Sequence, residues 1–312
     1  MKCLDSKSPL WLETANSQAL YRHYHICYNM AEAYAHPEVL VTTQWVTEHL
    51  EDPKVRIVEV DYDPASNYVQ GHVPGAVIFD WKKDMNDPVT RDILSKEQLE
   101  DLMKRSGISP DTSIILYGDF NNWFAAYAFW DLKYYKVENV RLMDGGRKKW
   151  LIEDRPLSKE VPAYEPKEYH IGSPDVKVRI YREGVRSSIR KKGSVLVDVR
   201  GPKEFSGEIT APPEYPDEQS QRGGHIPGAK NIPWGQAVND ADGTFKARAE
   251  LENLYHSKGV DRDKAVITYC RIGERSSHSW FVLKYLLGYP DVRNYDGSWT
   301  EWGNSVMLPI ER

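Results

Sequence analysis

The chain has 312 residues, enough for two domains of ordinary size, and is 40% hydrophobic, 28% charged and 12% aromatic, the balance of a folded globular protein rather than a disordered one. Its net charge of -5 offers nucleic acid no global attraction, and no apolar run reaches the roughly 18 residues of a membrane-crossing helix. The three cysteines, Cys3, Cys27 and Cys270, are too few and too scattered for a disulfide framework.

Residues 1–36 contain the run Tyr-Arg-His-Tyr-His-Ile-Cys-Tyr at 21–28, without a helix or strand period. The stretch reads as a disordered tail or a misassigned start, Met30 being a second candidate start, and it lacks the apolar core and small-residue cleavage site of a secretory signal. A cytoplasmic location is therefore expected. Strands follow at VRIVEV (55–60) and SIILY (113–117), with a helix over KEQLEDLMKRSG (96–107) that ends on a glycine suited to a C-cap. The proline-bearing stretch 156–176 reads as a linker between a first domain, 37–155, and a second, 177–312. In the second, strands are expected at VLVDV (195–199) and AVITY (265–269), and a helix over SSHSWFVLKYLLG (276–288). Strands alternating with helices imply an α/β fold with a mainly parallel, doubly wound sheet in each domain.

The two halves are copies of one another. GHVPGAVIFDW at 71–81 matches GHIPGAKNIPW at 224–234, DTSIILYGDFNNW at 111–123 matches DKAVITYCRIGER at 263–275, and RLMDGGRKKW at 141–150 matches VRNYDGSWTEW at 292–302. Tyr117 to Tyr269, Gly145 to Gly297 and Trp150 to Trp302 are each separated by 152 positions, but Val60 to Val199 by only 139. The second copy therefore carries an insert between Gly207 and Arg222, rich in Pro and Glu, that reads as a surface loop.

Cys270 stands at the carboxyl end of a strand and before a helix, where open α/β sheets bind ligands and a helix N-terminus presents free N–H groups. Gly273 allows a tight turn, and Ser276 and Ser277 suit a helix N-cap. Arg271 and Arg275 flank the thiol, so the cradle should hold a thiolate at neutral pH and suit an anionic substrate. Glu274 must then point outward. A buried, inert cysteine is the competing reading, disfavoured by a loop rich in Arg and Gly.

GHIPGA at 224–229, CRIGERSS at 270–277 and DGSWTEW at 296–302 resemble the motifs of a tandem-domain rhodanese, the thiosulfate sulfurtransferase family, and the likeness extends over residues 38–312. The resemblance implies two tandem rhodanese-like domains, the first catalytically silent, since Gly118 stands where the second has Cys270 and DFNNW at 119–123 lacks the arginines. It further implies that Cys270 attacks the outer sulfur of thiosulfate, that sulfite leaves, and that cyanide or a thiol removes the persulfide sulfur. No metal or organic cofactor is implied. The expected partners are a small anionic sulfur donor and a thiophilic acceptor, with no nucleic acid and no membrane. Arg271 and Arg275 would anchor the donor, and the backbone from Arg271 through Ile272, Gly273 and Glu274 to Arg275 and Ser276 would form the anion cradle. Arg200 is either a substrate contact or the ion-pair partner of Asp198, two residues earlier on the same strand face. The sequence departs from the better-known animal members at Glu204, where they carry a second arginine, and at Ile272, where they tend to be basic; Arg222 is a candidate replacement for that arginine. His72 and His225, present in both copies, read as structural, as does His278 on the helix, and the recurrent tryptophans read as core.

Three alternatives stand beside this. A Cys-loop phosphatase or arsenate reductase needs an arginine six positions after the cysteine, where Ser276 stands. A 3-mercaptopyruvate sulfurtransferase uses a less basic loop, against which Arg271 speaks. A non-catalytic binding module would have no need of Cys270 with its full cradle.

Overall fold

The computed structural model describes residues 34–213 and 219–312. Two parallel sheets account for the strands. The first comprises β1 (Leu40–Val41), β2 (Val55–Asp61), β3 (Val77–Asp80), β4 (Ser113–Tyr117) and β5 (Val140–Met143) in the order β1-β5-β4-β2-β3. The second comprises β6 (Ser194–Asp198), β7 (Lys230–Asn231), β8 (Ala265–Tyr269) and β9 (Val292–Tyr295) in the order β7-β6-β8-β9. Every pairing between these strands is parallel. Equivalent strands take equivalent places, β5-β4-β2-β3 matching β9-β8-β6-β7, which is the duplicated α/β architecture expected from the repeat. The edge place of β1 is marked in the second sheet by a single parallel bridge between Arg179 and Asn294.

The expected strands form because their β-branched runs are buried on both faces, as parallel sheets covered by helices require; all seven residues of β2 are buried. The helix Lys96–Arg105 begins with a capping box between Ser95 and Gln98, which satisfies two otherwise unpaired N–H groups. Its chain leaves through Gly107 at φ +65°.

One apolar cluster spans both repeats, while two smaller clusters lie within single repeats. The shared cluster forms because the helix Asp119–Tyr134 is apolar on all sides and must be covered all round. Ala125, Ala126 and Ala128 are fully buried, and Phe129 meets Phe281 edge-on at 4.9 Å between ring centroids. Its partner is the helix Glu274–Phe281, which continues as a π-helical turn, Val282–Leu286. The two helices are equivalents in the repeat, so the copies meet about a local pseudo-twofold axis.

The expected tail lies outside the described residues up to position 33. Residues 34–36 do not behave as a tail: the Tyr34 hydroxyl donates to the Lys246 carbonyl at 2.9 Å, and the N–H groups of Ala35 and His36 donate to the carbonyls of Leu286 and Tyr285 at 2.8 and 3.0 Å. An aromatic ring that is buried and anchored at its hydroxyl holds the segment against the second repeat. Among the described residues, no helix is long and apolar enough to cross a membrane.

Candidate active site

Cys270 follows β8, and the loop after it is fastened from beneath. Its N–H donates to Ser298 Oγ at 3.0 Å, its carbonyl accepts from the Trp299 N–H at 3.1 Å, and the Arg271 carbonyl accepts from the Thr300 N–H at 3.0 Å. Gly273 has φ +103°, and a Cβ there would lie 2.8 Å from Asp296 Cα, so both conformation and space demand glycine. Its N–H donates to Cys270 Sγ at 3.1 Å. Its carbonyl accepts from Ser276 Oγ at 3.0 Å, Ser277 Oγ at 2.7 Å and Asn294 Nδ2 at 3.2 Å. The turn is thereby rigid.

The sulfur itself is enclosed. Cys270 is 0% exposed and belongs to the apolar cluster shared by the two repeats. Burial, and then the charge of Glu274, push its thiol above the ordinary value, while Arg275 and the Ser276 N–H and hydroxyl pull the other way. The expectation of a resting thiolate is thus corrected: desolvation penalises the charged form more than the cradle favours it.

Glu274 also departs from expectation. It is fully buried and turned inward, with Oε2 accepting from Cys270 Sγ at 3.2 Å. Its other oxygen faces Arg271 Nη2 at 3.6 Å and Arg275 Nε at 3.8 Å, which makes the buried charge tolerable. Arg275 in turn makes a bidentate pair with Glu204 at 2.9 and 3.0 Å. Burial works to raise the Glu204 carboxyl, but Arg275 outweighs it and holds the group below its usual range. Glu204, noted as standing where an arginine is common, is thus the counterion of the loop arginine.

Arg200 is turned to Asp198. It is 0% exposed, bonded to both Asp198 oxygens and to the Gly224 carbonyl, and lies 4.5 Å from the centre of the Trp299 ring. The ion pair with Asp198 is formed. Arg222 gives its guanidinium to the carbonyls of Trp302, Gly303, Ser305 and Leu308 at 2.6–3.0 Å, so it closes a helix end rather than replacing the missing arginine. Ile272 is buried in the shared apolar cluster. Cys270, Arg271, Gly273, Glu274, Arg275 and Ser276 do converge.

Two site residues escaped the sequence reading. Asn294, on β9, joins Ser276 Oγ at 2.6 Å and Ser277 Oγ at 2.9 Å, and Ser298 receives the Cys270 N–H. Their signal was present in the repeat: Leu142 and Gly146 stand at the equivalent positions, so both are polar replacements confined to the copy with the cysteine.

The first repeat carries a charge-inverted counterpart of this site. Asp61 stands where the second has Arg200, Asp119 where it has Arg271, and Gly118 where it has Cys270. Asn122, at φ +67°, folds into the loop, accepting from the Gly118 N–H at 3.0 Å and donating to the Met143 carbonyl at 2.7 Å. Glu59 is held by Arg147 at 2.7 Å and by the Tyr117 hydroxyl. Among the described residues, Glu59, Asp61 and Asp119 are the group whose ligand atoms lie close enough, within 4.8 Å, to hold a metal ion; they belong to the repeat without the thiol.

His72 and His225 are structural in both copies: their Nδ1 atoms sit 2.9 Å from the carbonyls of Tyr68 and Phe205, and the rings stack on the same residues. His278, expected to be structural, is buried between Trp234 and Phe245 with neither ring nitrogen bonded. Trp150 and Trp302 are core residues, donating to the equivalent carbonyls of Pro156 and Pro309 at 2.9 Å.

The comparisons agree with the repeat. A family model described as the rhodanese-like domain matches twice, over residues 42–153 and 182–305. The sulfur carrier protein TtuD of Thermus thermophilus is 59% identical over 283 residues, 89% of this chain and 98% of that one. A Haloferax volcanii protein provisionally named thiosulfate sulfurtransferase is 52% identical over 280 residues, 88% of this chain and 96% of its own. Among solved structures, the anaerobic ergothioneine biosynthesis enzyme of Chlorobium limicola, in complex with trimethyl histidine, superposes with a TM-score of 0.78 at 27% identity, covering 89% of this chain and 71% of that one. A structure of EanB bearing a cysteine persulfide, in a tetrahedral intermediate state with ergothioneine, gives 0.78 at 26% identity over the same shares.

Proposed function

The chain belongs to the rhodanese family of sulfurtransferases, and from that premise we propose that Cys270 takes the outer sulfur of thiosulfate as a persulfide, releases sulfite and passes the sulfur to cyanide or a thiol. The observation that carries this reading is the seat of the Cys270 sulfur, at the end of β8 with the Gly273 N–H aimed at it at 3.1 Å. Such a donor favours negative charge on sulfur, whether on the attacking thiolate or on the persulfide left behind.

Arg271 borders the same point, and its planar fork suits the oxygen atoms of a thiosulfate donor. Because Cys270 is covered, donor and acceptor gain access only when the covering side chains move aside. The Thermus relative is named a sulfur carrier, and a thiol acceptor is the matching second half-reaction for this chain.

Intact mass of the purified protein, before and after thiosulfate and again after cyanide, tests the reading. A gain of about one sulfur atom that cyanide removes, and that Cys270→Ser lacks, is expected. Gain from 3-mercaptopyruvate but not thiosulfate would reassign the donor; no gain from either would overturn sulfur transfer through Cys270.

A further inference from the structure

Cys270 and Glu274 form a buried thiol–carboxylate pair, the sulfur 3.2 Å from Oε2 and both residues 0% exposed. We propose that Glu274 is the proton acceptor for the Cys270 thiol, so that the nucleophile is generated at the moment of attack rather than stored as a thiolate. The assignment rests on the sulfur-transfer reading above and adds to it the group that handles the proton.

The geometry favours a working pair over a chance contact. Glu274 is the first residue of the helix, and the left-handed turn at Gly273 folds the loop back so that its side chain meets the sulfur. The charged groups around it are accounted for on every side: Arg271 from the loop at 3.6 Å, Arg275 from its own helix at 3.8 Å, and Glu204 behind Arg275. Asp296, next to Gly273, is turned away to Arg179 at 2.7–2.9 Å. The two arginines face the other oxygen, Oε1, and offset the carboxylate's charge, which leaves Oε2 to the thiol, while burial strengthens the thiol's hold on its proton. The first repeat supplies a contrast. Where the thiol is replaced by Gly118, the position of Glu274 is held by Asn122, whose amide instead binds backbone at 2.7 and 3.0 Å and cannot take a proton.

In the first half-reaction the Sγ–H bond breaks and the proton passes to Oε2. The sulfur attacks the outer sulfur of thiosulfate, the donor S–S bond breaks, and its electron pair leaves with sulfite. One thiol, one carboxylate and one dianion become one persulfide anion, one carboxylic acid and one sulfite dianion, so atoms and charge balance without an external oxidant or reductant. The transfer also removes the negative charge of Glu274 from beside the arriving dianion. In the second half, the acceptor takes the outer sulfur and the proton returns to Cys270.

A purely electrostatic counterion would behave in the opposite way, since removing its negative charge would ease ionisation of the thiol. Single-turnover sulfite release from thiosulfate, followed between pH 6 and 9 on the full chain, separates the two. The wild-type rate should be nearly level from pH 6.5 to 8.5. Glu274→Gln should be roughly 100-fold slower at pH 6.5, the low end of general-base contributions, and its rate should climb about tenfold per pH unit as solvent takes over the deprotonation. Glu274→Asp should recover part of the loss. A Glu274→Gln rate equal to or above wild type at pH 6.5 overturns the proposal. So does a wild-type rate that itself rises tenfold per unit, an outcome that needs no folded variant. If wild type gains no sulfur from thiosulfate or 3-mercaptopyruvate, the sulfur-transfer reading fails, and the same profiles taken with iodoacetamide decide on Glu274 alone.

Discussion

Trp123 and Arg275 occupy the same position in the two repeats and meet across the interface between them, the guanidinium carbon 5.9 Å from the centre of the indole ring. The contact follows from the pseudo-twofold packing of the helices that bear them. It places a residue of the thiol-free repeat over the arginine network that borders Cys270, so the first repeat forms part of the site. Trp123 also meets Trp234 edge-on at 5.4 Å, extending an aromatic cover between the copies.

Trp123→Ala should therefore act twice. Loss of a buried indole costs about 3 kcal/mol of stability, read by urea denaturation. The opened interface should also speed alkylation of Cys270 by iodoacetamide in the still-folded protein. Unchanged alkylation would place the route to the sulfur elsewhere.

The two loop arginines should respond differently. Arg275→Ala strips the counterion from buried Glu204 and leaves buried Glu274 with Arg271 alone, and should cost roughly 3–5 kcal/mol, as breaking a buried pair does. Arg271→Ala leaves Glu204 its full pair and Glu274 the nearby Arg275, so it should chiefly raise KM for thiosulfate, with a smaller shift in thermal midpoint. A matched loss of stability in both variants would remove Arg271 as the donor anchor.

His278 ties stability to pH on the acid side. Burial holds its folded pKa down to about 3, below the unfolded value of about 6.5. Between these values the unfolded chain binds the extra proton, so the stability is fully present above about pH 6.5 and falls as pH drops, by about 1.4 kcal/mol per unit. His278→Phe, packed between Trp234 and Phe245, should flatten the profile between pH 6.5 and 4 in thermal melts.

Asp61 does the reverse. Burial first, then the charges of Glu59 and Asp119, raise its carboxyl well above the carboxylate range, and neither oxygen has a hydrogen-bond partner. A folded value above the unfolded one gives stability that is complete at low pH and is lost as pH rises. Asp61→Asn should accordingly raise the thermal midpoint at pH 8, and the gain should shrink toward pH 4. A gain that is constant with pH would show that folding does not raise the Asp61 carboxyl.

Much of the molecule was legible in the chain itself. The duplication, the parallel α/β architecture, the place of Cys270 after a buried strand and the glycine turn at Gly273 are local or repeated features, set by strand-length apolar runs, turn chemistry and residue spacing. The resemblance carried by CRIGERSS and GHIPGA pointed to the chemistry for the same reason, since the loop is a contiguous segment whose backbone makes much of the site. Even Asn294 and Ser298 had left a trace, as polar residues standing against Leu142 and Gly146 in the other copy.

What the chain alone did not reveal was where side chains pointed and what they met. Cys270 is a covered thiol because the other repeat packs against its helix, which makes desolvation the largest influence on its ionisation. Glu274 turns inward because Arg271 and Arg275 are close enough to offset its charge there, and Arg200 is turned to Asp198 and Trp299. Sequence determined the fold, the repeat and the place of Cys270, through patterns read along a few residues; tertiary structure alone decided the charge partners and the burial, because electrostatics and desolvation depend on groups brought together from distant parts of the chain.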